Sequence, residues 1–298
     1  MQGIGEQLLE KGIPVSFSEP MRLHTTLRLG GNADVFVQPE SEAQLETALR
    51  LIHASGEKLT VIGHGSNLLV RDGGIRGVVL MPRLCTYAFE GDCLIAGAGC
   101  MLHTLSEAAA AKGLAGLAFA SGIPGTLGGA VFMNAGAYGG EIGDLFVSAV
   151  AYTVLGERVT LTKEEMAFSY RKSRLQESGA VLSKVCLQLT PGKEEAIRAE
   201  MAELAIKRRD KQPLNFPSAG STFKRPENAF AAQLIDHCGL RGTWVGGAQV
   251  SEKHAGFLLN RSGTSKDFLD LMALVEKTVY EKTGIRLESE VRILGEDE

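Results

Sequence analysis

The chain has 298 residues, of which 44% are hydrophobic and 22% are charged, and this suffices for one large or two smaller globular domains. The net charge of −4 gives no reason to expect nucleic acid or an anionic membrane surface as a partner. The five cysteines are widely spaced, with no C-x-x-C or His/Cys cluster, which favours free thiols in a reducing cytoplasm and no metal site. The first residues, MQGIGEQLLEKG, lack the pattern of a signal peptide.

The first third of the chain alternates predicted helices and strands. A capping box at Ser41–Gln44 precedes apolar residues at helical spacing and then Gly56, which predicts a helix. A second, alanine-rich helix is predicted at Leu102–Lys112. Short strands bounded by turn residues are predicted within Leu59–Val70, Gly77–Pro82 and Cys93–Gly99. This alternation indicates an α/β pattern.

The segment Gly113–Gly140 carries no charge and therefore has to be tested as a membrane span. Pro124, six glycines from Gly122 to Gly139 and several polar residues would break a helix near its middle. We therefore expect no membrane insertion.

The second half of the chain begins with a β-rich pattern from Val147 to Leu189. An amphipathic helix is predicted at Glu194–Lys207, and its basic end, Lys207–Pro213, leads into a proline-containing loop that we predict to be a linker. A C-terminal α/β domain is predicted from helices at Phe230–Cys238 and Asp267–Lys282 and strands at Gly256–Asn260 and Leu287–Leu294.

Two glycine loops offer backbone N–H groups with few side chains nearby. The loop Gly63–Asn67 follows a predicted strand, but it lacks the third glycine of a Rossmann fingerprint and the Gly-Lys-Ser/Thr of a P-loop. A second loop, Gly97–Leu102, also lacks the third glycine, and a tight turn explains either loop taken singly. Together with Ser121–Gly129, however, the two loops favour a large ligand such as FAD, whose pyrophosphate would accept from N–H groups and whose ring would contact Ile123, Leu127 and Val131.

Six motifs occur in order and together resemble the UDP-N-acetylmuramate dehydrogenase family, also called the UDP-N-acetylenolpyruvoylglucosamine reductase family. They are GHGSNLLV (Gly63–Val70), SGIPGTLGGAVFMNAGAYG (Ser121–Gly139), SYRKS (Ser169–Ser173), SAGSTFKRP (Ser218–Pro226), GGAQVSEKHAGFLLN (Gly246–Asn260) and LESEVRILG (Leu287–Gly295). Only 49 residues separate Arg171 from Ser221, so the chain resembles the shorter, second type without an extra tyrosine loop.

The resemblance implies an α+β fold with α/β character. A two-subdomain FAD-binding region of the vanillyl-alcohol-oxidase type precedes a C-terminal α/β substrate-binding domain. The expected boundaries are a helical lead-in at 1–20, the FAD-binding region at 21–192 (subdomains at about 21–82 and 83–192), and the substrate-binding domain at 193–298. The free thiols favour a cytoplasmic location, and we expect a monomer or a weak homo-oligomer.

The resemblance also assigns site residues. Those implied for tightly bound, non-covalent FAD are Thr26, Arg28, Gly63, His64, Gly65, Ser66, Asn67, Leu68, Ser121, Gly122, Ile123, Pro124, Gly125, Gly128, Gly129, Asn134, Ala135 and Gly136. Those implied for the substrate are Tyr170, Lys211, Arg225 and His254. The implied reaction uses NADPH, through FAD, to reduce the enolpyruvyl group of UDP-N-acetylglucosamine-enolpyruvate to UDP-N-acetylmuramate, a peptidoglycan precursor.

Three residues match the family's catalytic positions. Arg171 would pair with the substrate carboxylate, because a guanidinium offers a fork of donors and keeps its charge. Ser221 would donate the proton, a role that rests on the family match because a hydroxyl is a weak acid. The strand pattern alone does not choose between Glu288 and Glu290; the match chooses Glu290, and we hypothesise that burial keeps it protonated.

Two other functions stay open from the sequence. One is a flavin oxidase of the vanillyl-alcohol-oxidase type, which would share the N-terminal half but is not expected to contain SAGSTFK and LESEVR. The other is a non-catalytic nucleotide-sugar-binding protein, against which the presence of Arg171, Ser221 and Glu290 argues.

Overall fold

A computed structural model describes residues 2–297 and divides them into two compact units, each built from separate stretches of chain. Of the described residues, unit 1 comprises 2–17, 35–64 and 77–208; unit 2 comprises 18–34, 65–76 and 209–297. Among the described residues, no helix combines the length and the apolar content that a bilayer-spanning helix requires.

The helices have the following bounds: α1 Gln2–Glu10, α2 Glu42–Ser55, α3 Leu102–Ala111, α4 Leu127–Phe132, α5 Ile142–Leu145, α6 Lys163–Met166, α7 Leu175–Ser178, α8 Glu194–Lys211, α9 Ala231–His237 and α10 Ser265–Thr283. Short 3-10 turns lie at Met21–Leu23 and Ala118–Ala120.

The strands have the following bounds: β1 Val15–Pro20, β2 Asn32–Val37, β3 Leu59–Val61, β4 Leu68–Val70, β5 Ile75–Leu80, β6 Tyr87–Glu90, β7 Cys93–Gly97, β8 Leu114–Ala115, β9 Gly136–Ala137, β10 Gly140–Glu141, β11 Phe146–Tyr152, β12 Arg158–Thr162, β13 Val181–Gln188, β14 Thr190–Pro191, β15 Ser218–Ser221, β16 Trp244–Val245, β17 Ala248–Val250, β18 Phe257–Asn260 and β19 Arg292–Leu294.

The N-terminal part of unit 1 has a core in which α1 and α2 contribute apolar residues beside β2 and β5. Helix α2 begins as predicted, because the Ser41 hydroxyl caps it by accepting the Gln44 N–H, and it ends at Gly56 in the left-handed conformation. The other half of the predicted box differs, since the Gln44 side chain accepts from the Glu40 N–H. Strands β3 and β5 pair in parallel, within a sheet of order β1-β2-β5-β3.

The remainder of unit 1 is organised around a five-stranded sheet of order β12-β11-β13-β7-β6, whose neighbouring strands are antiparallel. The predicted β-rich stretch supplies three of these strands. Helices α3 and α4 contribute to the same apolar core, through residues such as Leu105 and Val131. The uncharged segment Gly113–Gly140 therefore folds as short elements around this core.

Unit 2 contains a second antiparallel sheet, of order β15-β18-β17-β16, with α9 and α10 sharing its apolar core. Strand β4 lies apart from this sheet and pairs in parallel with β19, Leu68 opposite Arg292. Helix α10 begins two residues earlier than predicted, because Thr264 and Asp267 form a capping box there.

Two predicted elements have different ends in the structure. Helix α8, predicted at Glu194–Lys207, continues to Lys211, so most of its basic end, Lys207–Pro213, is helical. The final strand, predicted from Leu287, begins only at Arg292. Before this strand, Ser289 forms an isolated β-bridge with Phe223. The segment therefore pairs first with Phe223 and then, through β19, with β4.

All five cysteines carry free thiols. Burial raises the pKa of the Cys100 thiol to about 11, which makes it a poor nucleophile at neutral pH.

Candidate active site

In unit 1, the end of the strand β3 segment lies against the cap of helix α4. A Cβ on Gly63 would lie 2.5 Å from the Thr126 hydroxyl oxygen, so only glycine allows this approach. Thr126 is the N-cap of α4, and its hydroxyl accepts from the Gly129 N–H at 3.4 Å. A Cβ on Gly128 would meet Ala98 at 3.0 Å. Predicted cofactor residues from two distant motifs are thus brought together by their lack of side chains.

Several backbone N–H groups of these segments are available to donate hydrogen bonds to a ligand that has many acceptor oxygens. Among the described residues of unit 1, the backbone N–H groups of Gly63, His64, Gly122 and Thr126 have no hydrogen-bond acceptor. Thr126 is buried, where an unpaired N–H is costly. The apolar Ile123 is half-buried beside them in the chain. Free donors next to apolar surface suit a dinucleotide such as FAD.

Asn134, predicted as a cofactor residue, uses its side chain within the protein. It is fully buried, its Nδ2 donates to Glu141 Oε1 at 2.9 Å and to the Ser169 carbonyl at 3.1 Å, and its Oδ1 accepts from the Gly143 N–H at 2.8 Å. The carboxamide therefore ties the segment after α4 to the start of the SYRKS motif.

We expect Asn134→Ala to lower the free energy of unfolding by about 2–4 kcal/mol, because the buried Gly143 N–H loses its acceptor and the half-buried Glu141 carboxylate loses a donor. Urea-induced unfolding measures this change. The control is Asn32→Ala, which removes an exposed amide with one hydrogen bond and should change stability by less than about 0.5 kcal/mol. Equal effects of the two substitutions on stability would contradict the conclusion that Asn134 connects the segment after α4 to the SYRKS motif.

Arg171 occupies a strained position in a tight turn. Ser169 and Lys172 exchange both backbone hydrogen bonds, at 3.1 and 3.0 Å, so that Tyr170 and Arg171 form the tip of a two-residue hairpin. Arg171 has φ of 57°, a conformation that favours glycine at this place in a type II turn. Its guanidinium donates to the Gly136 carbonyl at 3.3 Å and lies 5.1 Å from the Tyr170 ring centre. A strained, non-glycine residue at a turn tip points to a functional role.

The turn is attached to helix α4 by two residues that the sequence reasoning missed. The Phe132 carbonyl at the end of α4 accepts from Ser173 Oγ at 2.8 Å and from Gln176 Nε2 at 3.0 Å. Gln176 Nε2 also donates to the Arg171 carbonyl at 2.9 Å. Gln176 thus joins the Arg171 turn to the glycine-rich segment. Its only sequence signal was its place five residues after Arg171, which does not reveal that contact.

In unit 2, Glu290 is hydrogen-bonded through its backbone to the residue that follows Ser221. Ser221 ends strand β15 and pairs with Phe257. The following residue, Thr222, is buried, and its carbonyl accepts from the Glu290 N–H at 2.8 Å. Ser221 itself is exposed, and its hydroxyl has no hydrogen-bond partner among the described residues. Backbone pairing therefore places the predicted acid beside the predicted proton donor.

Asn67 links Glu290 to the glycine loop. Its Nδ2 donates to the Glu290 carbonyl at 2.9 Å, and its own carbonyl accepts from the Arg292 N–H at 3.0 Å. Gly65, at φ of 66°, approaches the His24 carbonyl so closely that a Cβ there would collide with it. The Thr26 hydroxyl donates to the Ser218 carbonyl at 2.7 Å. The predicted cofactor residues Thr26, Gly65 and Asn67 thus belong to one network with the strand of Ser221.

The four predicted substrate residues differ in exposure and in their local contacts. Tyr170, Lys211 and Arg225 are exposed, and the Arg225 guanidinium lies 4.1 Å from the Phe230 ring centre. His254 is half-buried, and its Nδ1 accepts from the Gly256 N–H at 3.2 Å, while its ring packs edge-on against Phe257. Burial lowers the pKa of His254, so the ring is neutral at pH 7 and carries its proton on Nε2. The His254 Nε2–H is therefore a donor on a ring that packs against Phe257, the residue that pairs with Ser221.

A cavity of about 340 Å³ in unit 2 is lined by other residues. The Arg261 guanidinium stacks there 3.9 Å from the Phe216 ring centre and 5.5 Å from that of Trp244, and it donates to Gln249. None of the predicted site residues lines this cavity.

Two family models match the chain. One, described as "FAD binding domain", matches residues 33–162; the other, described as "UDP-N-acetylenolpyruvoylglucosamine reductase, C-terminal domain", matches residues 212–294. The UDP-N-acetylenolpyruvoylglucosamine reductase of Clostridioides difficile (strain 630) is 46% identical over 286 residues, which cover 95% of this chain and 94% of the relative.

Solved structures give the same result for the fold. The crystal structure of UDP-N-acetylenolpyruvylglucosamine reductase from Thermus caldophilus superposes with a TM-score of 0.81 at 34% identity, covering 95% of this chain and 98% of that one. Alkyldihydroxyacetonephosphate synthase shares the fold alone, at 16% identity and a TM-score of 0.50 over 64% of this chain and 40% of its own. The predicted α+β fold with a flavin-oxidase-type FAD-binding region is confirmed.

Proposed function

Because the chain belongs to the UDP-N-acetylenolpyruvoylglucosamine reductase family, we propose that it reduces the enolpyruvyl group of UDP-N-acetylglucosamine-enolpyruvate, with NADPH as the electron donor, in the cytoplasm. It is an FAD-dependent oxidoreductase. The observation that carries the substrate assignment is the match of 46% identity along 95% of the chain, which includes both the FAD-binding half and the C-terminal half. The oxidase and the non-catalytic binder have no comparable support.

FAD fits the residues present, because free N–H donors, close-packed glycines and apolar side chains occur together in unit 1. In unit 1, Gly63, His64 and the segment Ser121–Gly129 would hold it, with Asn134 organising the chain that follows α4. Bound FAD supplies hydride transfer from NADPH to the enolpyruvyl double bond.

Arg171 binds and orients the carboxylate of the substrate in this proposal. Hydride addition to the enolpyruvyl group leaves an enolate conjugated with that carboxylate, and the negative charge grows on its oxygens. A guanidinium with a fixed fork of donors stabilises this charge more than it stabilises the ground state. The turn described above fixes the backbone of Arg171, so little reorganisation is needed when the charge develops.

Ser221 then donates its Oγ proton to the enolate carbon. Its hydroxyl has no partner among the described residues, so a donor is free to act on a ligand. An alkoxide is costly in isolation, and nearby cationic or donor groups must lower that cost. We assign His254 Nε2–H and Lys211 to substrate binding, as neutral and charged donors respectively.

Glu290 acts in its neutral form as a hydrogen-bond donor, because a carboxylate beside the substrate carboxylate would repel it. We expect Glu290→Gln to retain far more turnover than Glu290→Ala, roughly tenfold or more, since glutamine keeps a donor of similar shape. Steady-state NADPH oxidation measures both variants. Equal losses in the two would contradict a neutral-donor role.

The proposed activity is tested by mixing the FAD-loaded protein with NADPH and following the absorbance of NADPH. We expect rapid NADPH loss only after UDP-N-acetylglucosamine-enolpyruvate is added. Oxygen-dependent turnover of an alcohol would instead indicate an oxidase. Bound flavin without any turnover would indicate a non-catalytic binder.

A further inference from the structure

Two carboxamide side chains, those of Gln212 and Gln249, lie in the wall of the unit 2 cavity of about 340 Å³. The Gln212 Oε1 atom is buried and has no hydrogen-bond partner among the described residues. Gln249 is 3% exposed; its Oε1 accepts from Arg261 Nη1 at 3.2 Å, and its Nε2 has no acceptor within residues 2–297. Because a buried polar group without a partner costs free energy, the cavity offers one acceptor and one donor to a ligand.

Two aromatic rings and a guanidinium form a more exposed part of the same wall. The Arg261 guanidinium lies 3.9 Å from the Phe216 ring centre and 5.5 Å from that of Trp244. Phe216 is 40% exposed and Trp244 is 50% exposed, so neither ring is fully covered by the protein. Guanidinium and aromatic faces stack with flat ring systems. This part of the wall therefore suits a ligand that contains a planar ring.

Basic side chains outnumber acidic ones around the cavity. Arg209, Lys253 and Arg261 line it, together with one carboxylate, that of Glu252. In the described part of the chain, Lys253 and Arg261 form no ion pair, and the ion pair of Arg209 with Asp210 is long, at 3.9 Å. Cations without close carboxylate partners attract an anionic group and offer it charge-assisted hydrogen bonds. The ligand that suits this cavity is therefore an anion.

We propose that this cavity binds a planar ring compound that carries a carboxylate or phosphate group. The ring stacks against Arg261 and Trp244, its polar edge hydrogen-bonds with the two carboxamides, and its anionic group pairs with the basic side chains. Heteroaromatic acids and nucleoside monophosphates are two sources of this chemistry. The residues that we assign above to FAD, substrate and catalysis are not among those that line the cavity, so this inference does not depend on the proposed function.

The test uses the fluorescence of Trp244, which is the only tryptophan of the chain and lines the cavity. The FAD-loaded protein is titrated with orotate, a ring carboxylate, and with adenosine 5′-monophosphate, a ring phosphate. We expect at least one of them to change the tryptophan emission in a saturable way. Uracil and adenosine, which lack the anionic group, and inorganic phosphate, which lacks the ring, should each bind roughly tenfold or more weakly. The tighter of the two ring anions identifies the source of the ligand.

Arg261→Met removes the guanidinium and keeps an unbranched side chain, and it should raise the Kd of the bound ring anion roughly tenfold or more. The matched control is Arg286→Met, because the Arg286 guanidinium lies 5.0 Å from the Tyr280 ring centre in a similar pair that does not line the cavity. This control should leave the Kd within about twofold of wild type. Should Arg261→Met not fold, Gln249→Glu replaces the unpaired donor by a carboxylate and should weaken binding to a similar extent.

Three results would overturn the inference. Neither ring anion changes the Trp244 emission at concentrations of up to about 10 mM. The ring anions bind no more tightly than the ring alone or the phosphate alone. A folded Arg261→Met protein binds the ring anion with a Kd within about twofold of that of wild type.

Discussion

Replacing Arg171 by alanine or by glycine is expected to lower kcat roughly 10²- to 10³-fold, because either change removes a preorganised charge that faces the developing enolate. The two variants should differ in stability. Arg171 has φ of 57°, and alanine keeps the strain of that conformation whereas glycine relieves it. We therefore expect the glycine variant to unfold with a free energy about 1 kcal/mol higher than the alanine variant.

Steady-state turnover assays test the expected loss of kcat, and urea-induced unfolding of the same preparations tests the expected difference in stability. The comparison separates chemistry from folding, since both variants lack the guanidinium but only one keeps a side chain at the strained position. Near-normal turnover in either variant would refute the role of Arg171. A glycine variant less stable than the alanine variant would refute the strained turn.

Ser221→Ala is expected to lower turnover roughly 10²- to 10⁴-fold, since it removes the proposed proton donor from an exposed position at the end of β15. Fold and flavin binding should be unaffected, because the Ser221 hydroxyl has no partner among the described residues. The loss should be confined to the half of the reaction that consumes the enolpyruvyl substrate. Bleaching of the flavin absorbance by NADPH should keep its wild-type rate.

Stopped-flow absorbance measures the two halves separately, first with NADPH alone and then with the enolpyruvyl substrate added to the bleached protein. Thr222→Val makes a useful control. The Thr222 hydroxyl accepts from the Leu258 N–H at 3.3 Å, so this change should cost stability without removing a proton donor. A Ser221→Ala protein that is slow with NADPH alone would contradict the assignment.

Much of the fold could be predicted where local signals and the structure agree. The cap at Ser41 and the left-handed Gly56 bound α2 as the sequence indicates, because both act through the backbone of their own helix. The predicted end of α8, Lys207, was wrong by four residues, since no glycine or proline stops the helix before Lys211. The final strand was too long because Ser289 pairs with Phe223, a contact that alternation of apolar residues does not encode.

The candidate site shows the same division. The motifs that contain Arg171, Ser221 and Glu290 could be read from the sequence by resemblance. The residues that support these motifs could not, because Gln176, Asn67 and Asn134 donate to the carbonyls of Phe132, Glu290 and Ser169, which are 35 or more positions away in the sequence. A carboxamide that donates to a remote carbonyl leaves no periodic pattern.

The pairing of β4 with β19 has a consequence for how the protein is made. Leu68–Val70 is buried throughout, and the neighbouring bond from Asn67 to Glu290 joins residues 223 positions apart. On the ribosome, this apolar stretch lacks its partner until the more than 220 residues between the two strands have been synthesised. Such late, distant pairings are slow and leave nascent chains open to aggregation. Residues as far as β19 must therefore be translated before the acid at position 290 can take its place.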